Sequence, residues 1–354
     1  MRAQRIHSGK GGKWRRRGLA LACILAVLLP VGLTAQDITF FRIGTGSTSG
    51  TYFPIGGIIA SAISKPPGSR DCAVGGSCGV PGLIAVVQST EGSVANVLGI
   101  GDGTLESGLS QADISFWAFR GEANFKKTGA VHKLRAIANL FPEAVHLVVR
   151  RDSNIESVAD LRGKTISFDR EGSGTRVDAL LILKAYGLAL KDITAEAQSL
   201  GTAVDLLREG KLDGFFIVAG TPAAAVVELA NDSLIRLIPI SGVKADKLRA
   251  AYPFFAADRI AAGTYLNVPV TETLSVGAQW LVSADVPDDL VYGITKALWA
   301  PSTRRLLDNG HPKGQLITVE TALEGLAVPL HPGARRYYEE AGIPIPATAA
   351  ATAQ

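Results

Sequence analysis

Short apolar runs alternate with glycine- and hydroxyl-rich breaks along this chain, and the order repeats. Ile38 to Gly44 reads as a short buried strand, and Pro54 to Ile63 as a helix ended by Pro66-Pro67-Gly68. Gly82 to Gln88 predicts a second strand, Val94 to Leu98 the middle of another helix, and Ile114 to Ala118 a third strand. Strand, loop and helix in succession predict a mostly parallel sheet with helices on its faces.

The pattern restarts downstream. Val145 to Arg150 and Leu274 to Val282 read as strands that cross between two lobes. Between them come a strand at Thr165 to Phe168, a helix at Val177 to Tyr186 stopped by Gly187, and a helix at Ala203 to Arg208 stopped by Gly210. Asp213 to Val218 is a further strand. It feeds Gly220-Thr221-Pro222, where Thr221 is placed to cap a helix and Pro222 to open it. Helices at Asp288 to Leu298 and Gly333 to Ala341 end the ordered part. The expected division is 1–35 leader, 36–145 first part of lobe 1, 146–279 lobe 2, 280–345 return to lobe 1, and 346–354 disordered tail. Two such lobes joined by two hinge strands enclose a cleft able to close on a ligand.

Composition supports a globular chain of two lobes: 354 residues, 47% hydrophobic and 19% charged. The net charge of +4 belongs to the N-terminus. Seven Lys and Arg precede residue 18 with no acid among them, leaving 29 basic against 32 acidic residues. That distribution excludes a nucleic-acid footprint. The basic stretch, the apolar run Leu19 to Leu29, Pro30 and the small residues up to Ala35 have the three parts of a cleaved export signal, shorter than a membrane span. In the oxidising compartment beyond, Cys72 and Cys78, five residues apart in a glycine-rich loop, are expected to form a disulfide, with free thiols as the alternative.

Three loops share one design: Gly44 to Tyr52, Ser89 to Ser93 and Gly172 to Arg176 each follow a strand, carry Gly, Ser and Thr, and open a helix. Amides at a helix start, the helix dipole and added hydroxyls suit an anion; simple helix capping is the bland alternative. Cofactor signals are missing. Gly44-x-Gly46 lacks the spacing of a dinucleotide fingerprint, and no phosphate-loop motif occurs. His7, His132, His146, His311 and His331 are scattered, so no metal site is expected, and His146 within an apolar strand reads as a core residue. Glu143 and Asp213 read as capping or hinge acids. Tyr52, Phe116, Trp117, Phe215 and Phe216 are aromatic candidates for a ligand's carbon skeleton, with core packing as the alternative.

Four motifs in order, Ile43-Gly44-Thr45-Gly46-Ser47-Thr48-Ser49-Gly50-Thr51-Tyr52-Phe53-Pro54-Ile55-Gly56, Ser89-Thr90-Glu91-Gly92-Ser93-Val94-Ala95-Asn96, Gly172-Ser173-Gly174-Thr175 and Pro329-Leu330-His331-Pro332-Gly333-Ala334, resemble the TAXI family. These are solute-receptor subunits of a class of TRAP transporters. The resemblance runs over about residues 38–343. It implies a two-lobed α/β type II periplasmic-binding-protein fold and a non-enzymatic periplasmic receptor that needs no cofactor. It further implies a small carboxylate ligand, glutamate-like or a C4/C5 dicarboxylate, delivered to an ion-driven membrane permease. By motif position, ligand contacts would fall on Thr45, Gly46, Ser49, Gly50, Tyr52, Ser89, Thr90, Ser93, Ser173, Gly174, Thr175, Gly220 and Thr221. The segment from Cys72 to Gly82 departs from the shortest members and is expected to shape the cleft rim. No Arg lies in the first two loops, which leaves Arg120 and Arg176 as candidate ligand cations. A ligand-sensing partner of a membrane sensor, or an enzyme on the same fold, are the other readings.

Overall fold

The structure, a computed structural model, describes residues 37–347; the expected export leader and most of the expected tail lie outside them. In the first half, β1 (Thr39–Gly44), α1 (Tyr52–Ile63), the short β2 (Ser64–Lys65) and β3 (Val80–Pro81), β4 (Leu83–Gln88), α2 (Ser93–Asp102), β5 (Ser107–Gln111) and α3 (Ala112–Arg120) lead into β6 (Leu134–Arg150). The second half runs through β7 (Thr165–Ser167), α4 (Gly174–Ala185), β8 (Thr194–Glu196), α5 (Leu200–Arg208), β9 (Gly214–Ala219), α6 (Ala224–Asn231), β10 (Ile235–Ile238), α7 (Gly242–Ala251) and β11 (Ala256–Ile260). Then β12 (Thr271–Ser283) returns, and α8 (Asp288–Leu298), α9 (Pro301–Gly310) and α10 (Pro332–Glu340) complete the first half.

One sheet runs through both halves in the order β4-β1-β5-β12-β6-β9-β7-β8. Each half repeats a motif. A parallel trio has its first strand in the middle (β4-β1-β5 and β8-β7-β9), and an antiparallel crossing strand lies beside its third. The mixed α/β architecture in two halves, with helices flanking the sheet, is as expected from the sequence.

The crossing strand β6 pairs with β12 over residues 134–144 and with β9 over 144–149. Midway, Pro142 faces Gly277. Proline brings no N–H to the ladder and glycine no side chain, so the sheet is least braced where it passes between the halves.

Packing separates along the same line. Phe41, Ile59, Phe141, Trp280 and Tyr338 belong to one apolar cluster, drawn from residues before 142 and after 277. The second half has a cluster on each face of its sheet. Strand alternation sends Phe216 to the α4 face, stacked on Phe168 at 5.7 Å, and Phe215 to the α5 and α6 face.

Two local expectations are corrected. Ile114 to Ala118 is not a strand but lies within α3, where Ile114, Trp117 and Ala118 are buried at helical spacing. The third strand is the Ser- and Gly-rich β5. It is buried throughout and escapes a search for apolar runs. Its composition follows from close packing, since a Cβ at Gly108 would lie 3.0 Å from the Asn96 Cβ. Nor does Thr221 cap a helix. α6 starts at Ala224, two residues after the cis Thr221-Pro222 bond; its N-cap is Ala223, whose amide donates to the Tyr265 hydroxyl at 3.0 Å.

Candidate functional site

The loops that open α1, α2 and α4 meet. Their residues wall a cavity of about 60 Å³ between the halves, with Gly46, Gly50, Tyr52 and Ser93 on one side and Ser173, Gly174 and Thr175 on the other. At about 10–15 Å³ per water, this is space for roughly half a dozen small atoms. A larger guest requires the halves to part. Three helix N-termini turned to one space supply positive potential without a formal cation.

The seam around the cavity is closed by polar contacts from both sides. The Ala95 amide donates to the Gly172 carbonyl at 3.0 Å, and the Ala225 amide to the Ser49 carbonyl at 3.3 Å. The Thr51 hydroxyl donates to the Gly220 carbonyl at 2.9 Å. At the rim, Arg170 pairs with Glu91 at 2.5 Å, a half-exposed ion pair of small energetic weight.

Capping sets the α4 wall. Ser173 accepts from the Thr175 amide at 3.1 Å and donates to Asp169 at 2.7 Å. Burial raises the Asp169 carboxyl despite that bond. Across the seam, Ser93 donates to the side-chain oxygen of Gln111 and accepts from its amide. The Gln111 side-chain nitrogen then donates to Asp178 of α4 at 2.5 Å. Gly174 makes this approach possible, because a Cβ there would lie 1.6 Å from the Gln111 side-chain oxygen.

The floor is acidic. Glu143, on β6 beside Pro142, accepts from the Tyr52 hydroxyl at 2.6 Å. Burial pushes the Glu143 carboxyl up to about 8, against the lowering effect of the Tyr52 bond. Burial, then the neighbouring Glu143, raises the Tyr52 phenol well above its usual range. Apart from the Tyr52 phenol, the ionisable groups on the cavity wall, Glu91, Glu143 and Asp169, are carboxylic acids. Lys313 stands behind it, its stem packed at Gly220, its ammonium disfavoured by burial and favoured by Asp258 and Glu143.

Of the residues picked out by sequence, Thr45, Ser49, Ser89, Thr90, Gly220 and Thr221 do not line the cavity. Thr45 donates to the Gln88 carbonyl at 2.8 Å, Ser89 to the Gly46 carbonyl at 2.8 Å, and Thr90 to Asn96 at 2.7 Å. The Thr45 and Ser89 hydroxyls tie the first two loop regions to each other, and the Thr90 hydroxyl braces its own. Thr175 reaches the wall, yet its hydroxyl accepts from the Val218 amide of β9 at 3.0 Å. Gln111, Glu143 and Asp169 were not among the chosen contacts. Gln111 ends the strand that sequence reading misplaced, and Glu143 reaches the cavity only because β6 crosses there.

Among the aromatics, Tyr52 alone lines the cavity. Trp117 and Phe116 instead pack on Tyr252 and Phe254. His146 is buried as expected. Its ring nitrogens meet the Ala144 carbonyl at 2.9 Å and the Tyr265 hydroxyl at 2.8 Å, and burial lowers it to about 4, so it is neutral at pH 7. Neither Arg120 nor Arg176 lines the cavity. Cys72 and Cys78 form a disulfide, but their loop does not shape the cleft rim. It borders a separate groove with α1 and α9, because β2 and β3 pair it to the far end of α1. Among the described residues, no three His, Cys, Asp or Glu converge as metal ligands, and no helix is long and apolar enough to cross a membrane.

The described residues thus form two α/β halves with a hydroxyl-walled cavity between them. The chain belongs to the NMT1-like family, whose sequence profile matches residues 43–342. Among solved structures it is similar to the periplasmic aliphatic sulphonate binding protein of Escherichia coli, with 16% identity, 76% of this chain and 73% of that one covered, and a TM-score of 0.42. The alkanesulfonate-binding protein of Xanthomonas axonopodis pv. citri is 15% identical, with coverage of 88% and 82% and a TM-score of 0.45. A binding protein component of an ABC phosphonate transporter from Pseudomonas aeruginosa is 8% identical, with coverage of 80% and 80% and a TM-score of 0.46.

Proposed function

We propose that this chain is an exported solute-binding receptor that captures a small carboxylate in the cleft and presents it to a membrane permease, the role its resemblance to TRAP-type receptors implies. One observation carries the binding part: helix starts from both halves converge on a single cavity with no positively charged side chain on its wall. The ligand carboxylate docks on these helix starts, where backbone amides and the helix dipole favour it. The acids Glu143 and Asp169 on the wall favour an amino acid over a dicarboxylate, since a ligand ammonium stabilises their charged forms and a second carboxylate does not. In this reading the halves are the lobes expected at 36–145 with 280–345, and at 146–279, and they rock about β6 and β12. The hydroxyls of Ser93 and Ser173 and the glycines at 46, 50 and 174 form the contact set.

Native mass spectrometry of the purified protein, before and after incubation with L-glutamate and with succinate, tests this. The expected result is a one-to-one adduct with the amino acid that succinate does not displace. No adduct with any amino acid or dicarboxylate rejects the ligand class.

A further inference from the structure

The seam between the halves holds a second pair of acids, beneath the cavity wall and not part of it. Asp113, in the first turn of α3, and Asp178, in α4, are fully buried and come from opposite halves. Gln111 donates to one Asp178 oxygen. The other Asp178 oxygen and both Asp113 oxygens are buried with no ordinary donor side chain or amide in bonding geometry. Gln111, two residues before Asp113, reaches across the seam to Asp178, so the two acids lie on either side of it with three oxygens unmet. Two carboxylates so placed cannot both be ionised in a dry seam, whereas one acid and one carboxylate form a strong bond.

We propose that Asp113 and Asp178 share one proton and act as a latch that couples closure of the halves to proton uptake. The proton sits on one carboxyl, whose O–H donates to a carboxylate oxygen of the other. Opening breaks that bond, exposes both acids to water and releases the proton to solvent. The surrounding groups reinforce this direction. Glu143 on β6 adds negative charge towards Asp178, the Tyr52 phenol of α1 is engaged by Glu143, and Lys313 acts on Glu143. Ser93 and Gln111, the other polar neighbours, are neutral. Burial dominates, raising Asp113 to about 6 and Asp178 well above its usual value; at Asp113 it outweighs the opposing effects of Asp178 and of the amides at the start of α3.

The closed form therefore holds a proton that the open form loses. Between the ordinary aspartate value of about 3.9 and the higher value of the closed pair, the closed-to-open ratio falls by up to tenfold per pH unit. The latch rests on the reading that the halves open and close, and it is independent of the ligand's identity.

Small-angle X-ray scattering of the ligand-free protein from pH 5 to pH 9 tests it. Three variants accompany the wild type: Asp113→Asn, Asp178→Asn, and Gly174→Trp, whose bulk wedges the seam open and gives the open radius of gyration. The expected result is a wild type that moves from the closed towards the wedge value as pH rises. Both Asn variants stay closed throughout, because an amide N–H replaces the shared proton. A wild type that stays closed to pH 9 beside an open wedge variant overturns the latch and leaves the clamshell reading intact. A wedge variant with the wild-type radius overturns both. If the Asn variants open with pH as the wild type does, another group carries the proton and the latch is rejected.

Discussion

Tyr52 and Glu143 lie 91 residues apart in sequence and share a buried hydrogen bond of 2.6 Å, phenol to carboxyl. The bond ties the first turn of α1 to the crossing strand β6, joining the floor of the cavity to the strand that links the halves.

Replacing Tyr52 with Phe removes the donor and leaves Glu143 buried with an unmet acceptor. The expected cost is about 1–3 kcal/mol, the desolvation penalty of an unsatisfied buried group. Urea denaturation of Tyr52→Phe against wild type at pH 7 checks it. An unchanged midpoint would show that Glu143 finds another donor.

Glu143 also predicts a pH dependence of stability. Its carboxyl is raised to about 8 in the folded protein, while the unfolded chain titrates near the ordinary value of about 4.3. Below that value both states hold the proton, and above about 8 both have lost it. Between them the folded state binds more protons, so stability falls as pH rises through the window. Glu143→Gln removes this contribution. The loss of stability between pH 5 and pH 8, read from denaturation curves, is expected to be smaller in the variant than in wild type.

Ser173 and Thr175 separate a binding role from a structural one. Ser173→Ala deletes the cap of α4 and the bond to Asp169, with an expected cost of about 1 kcal/mol in stability. Thr175→Ala deletes the acceptor for the Val218 amide and loosens α4 from β9. Calorimetry with the ligand found by mass spectrometry is expected to show at least a severalfold loss of affinity for Ser173→Ala, with Thr175→Ala acting mainly on the melting temperature. Equal affinities for both variants and wild type would remove Ser173 from the site.

Gly174→Ala tests the closeness of the seam. The added methyl overlaps the Gln111 side chain, which is held by Ser93 and Asp178. Gln111 must rotate away or the halves must separate, and either weakens closure. Ligand affinity is expected to fall about tenfold or more while the far-ultraviolet circular dichroism is unchanged. Wild-type affinity would mean that the close approach of Gly174 to Gln111 plays no part in binding.

The disulfide gives the opposite contrast. Substituting both Cys72 and Cys78 with Ser frees a loop of five intervening residues, expected to lower stability by roughly 2 kcal/mol on the chain-entropy account. Because that loop lies against α1 and α9 and away from the cavity, ligand affinity is expected to stay the same. A large loss of affinity would restore the loop to the cleft rim.

The sequence alone determined the repeating strand-loop-helix order and the glycine- and hydroxyl-rich loops that open α1, α2 and α4, because turns and helix starts are chosen by local chemistry within a few residues. It also indicated the cysteine pair and the crossing strands, whose ends it placed too short in β6. It missed β5, since a strand packed tightly between neighbours is built from Ser and Gly and carries no apolar signature. Tertiary structure alone decided which hydroxyls face the cavity and which tie one loop to another, because Thr45 and Ser89 donate to acceptors 43 residues away. It alone also brought the acids Glu143, Asp113 and Asp178, from three separate elements, into burial. Their altered proton affinities come from burial between two halves, a property that no single stretch of chain possesses.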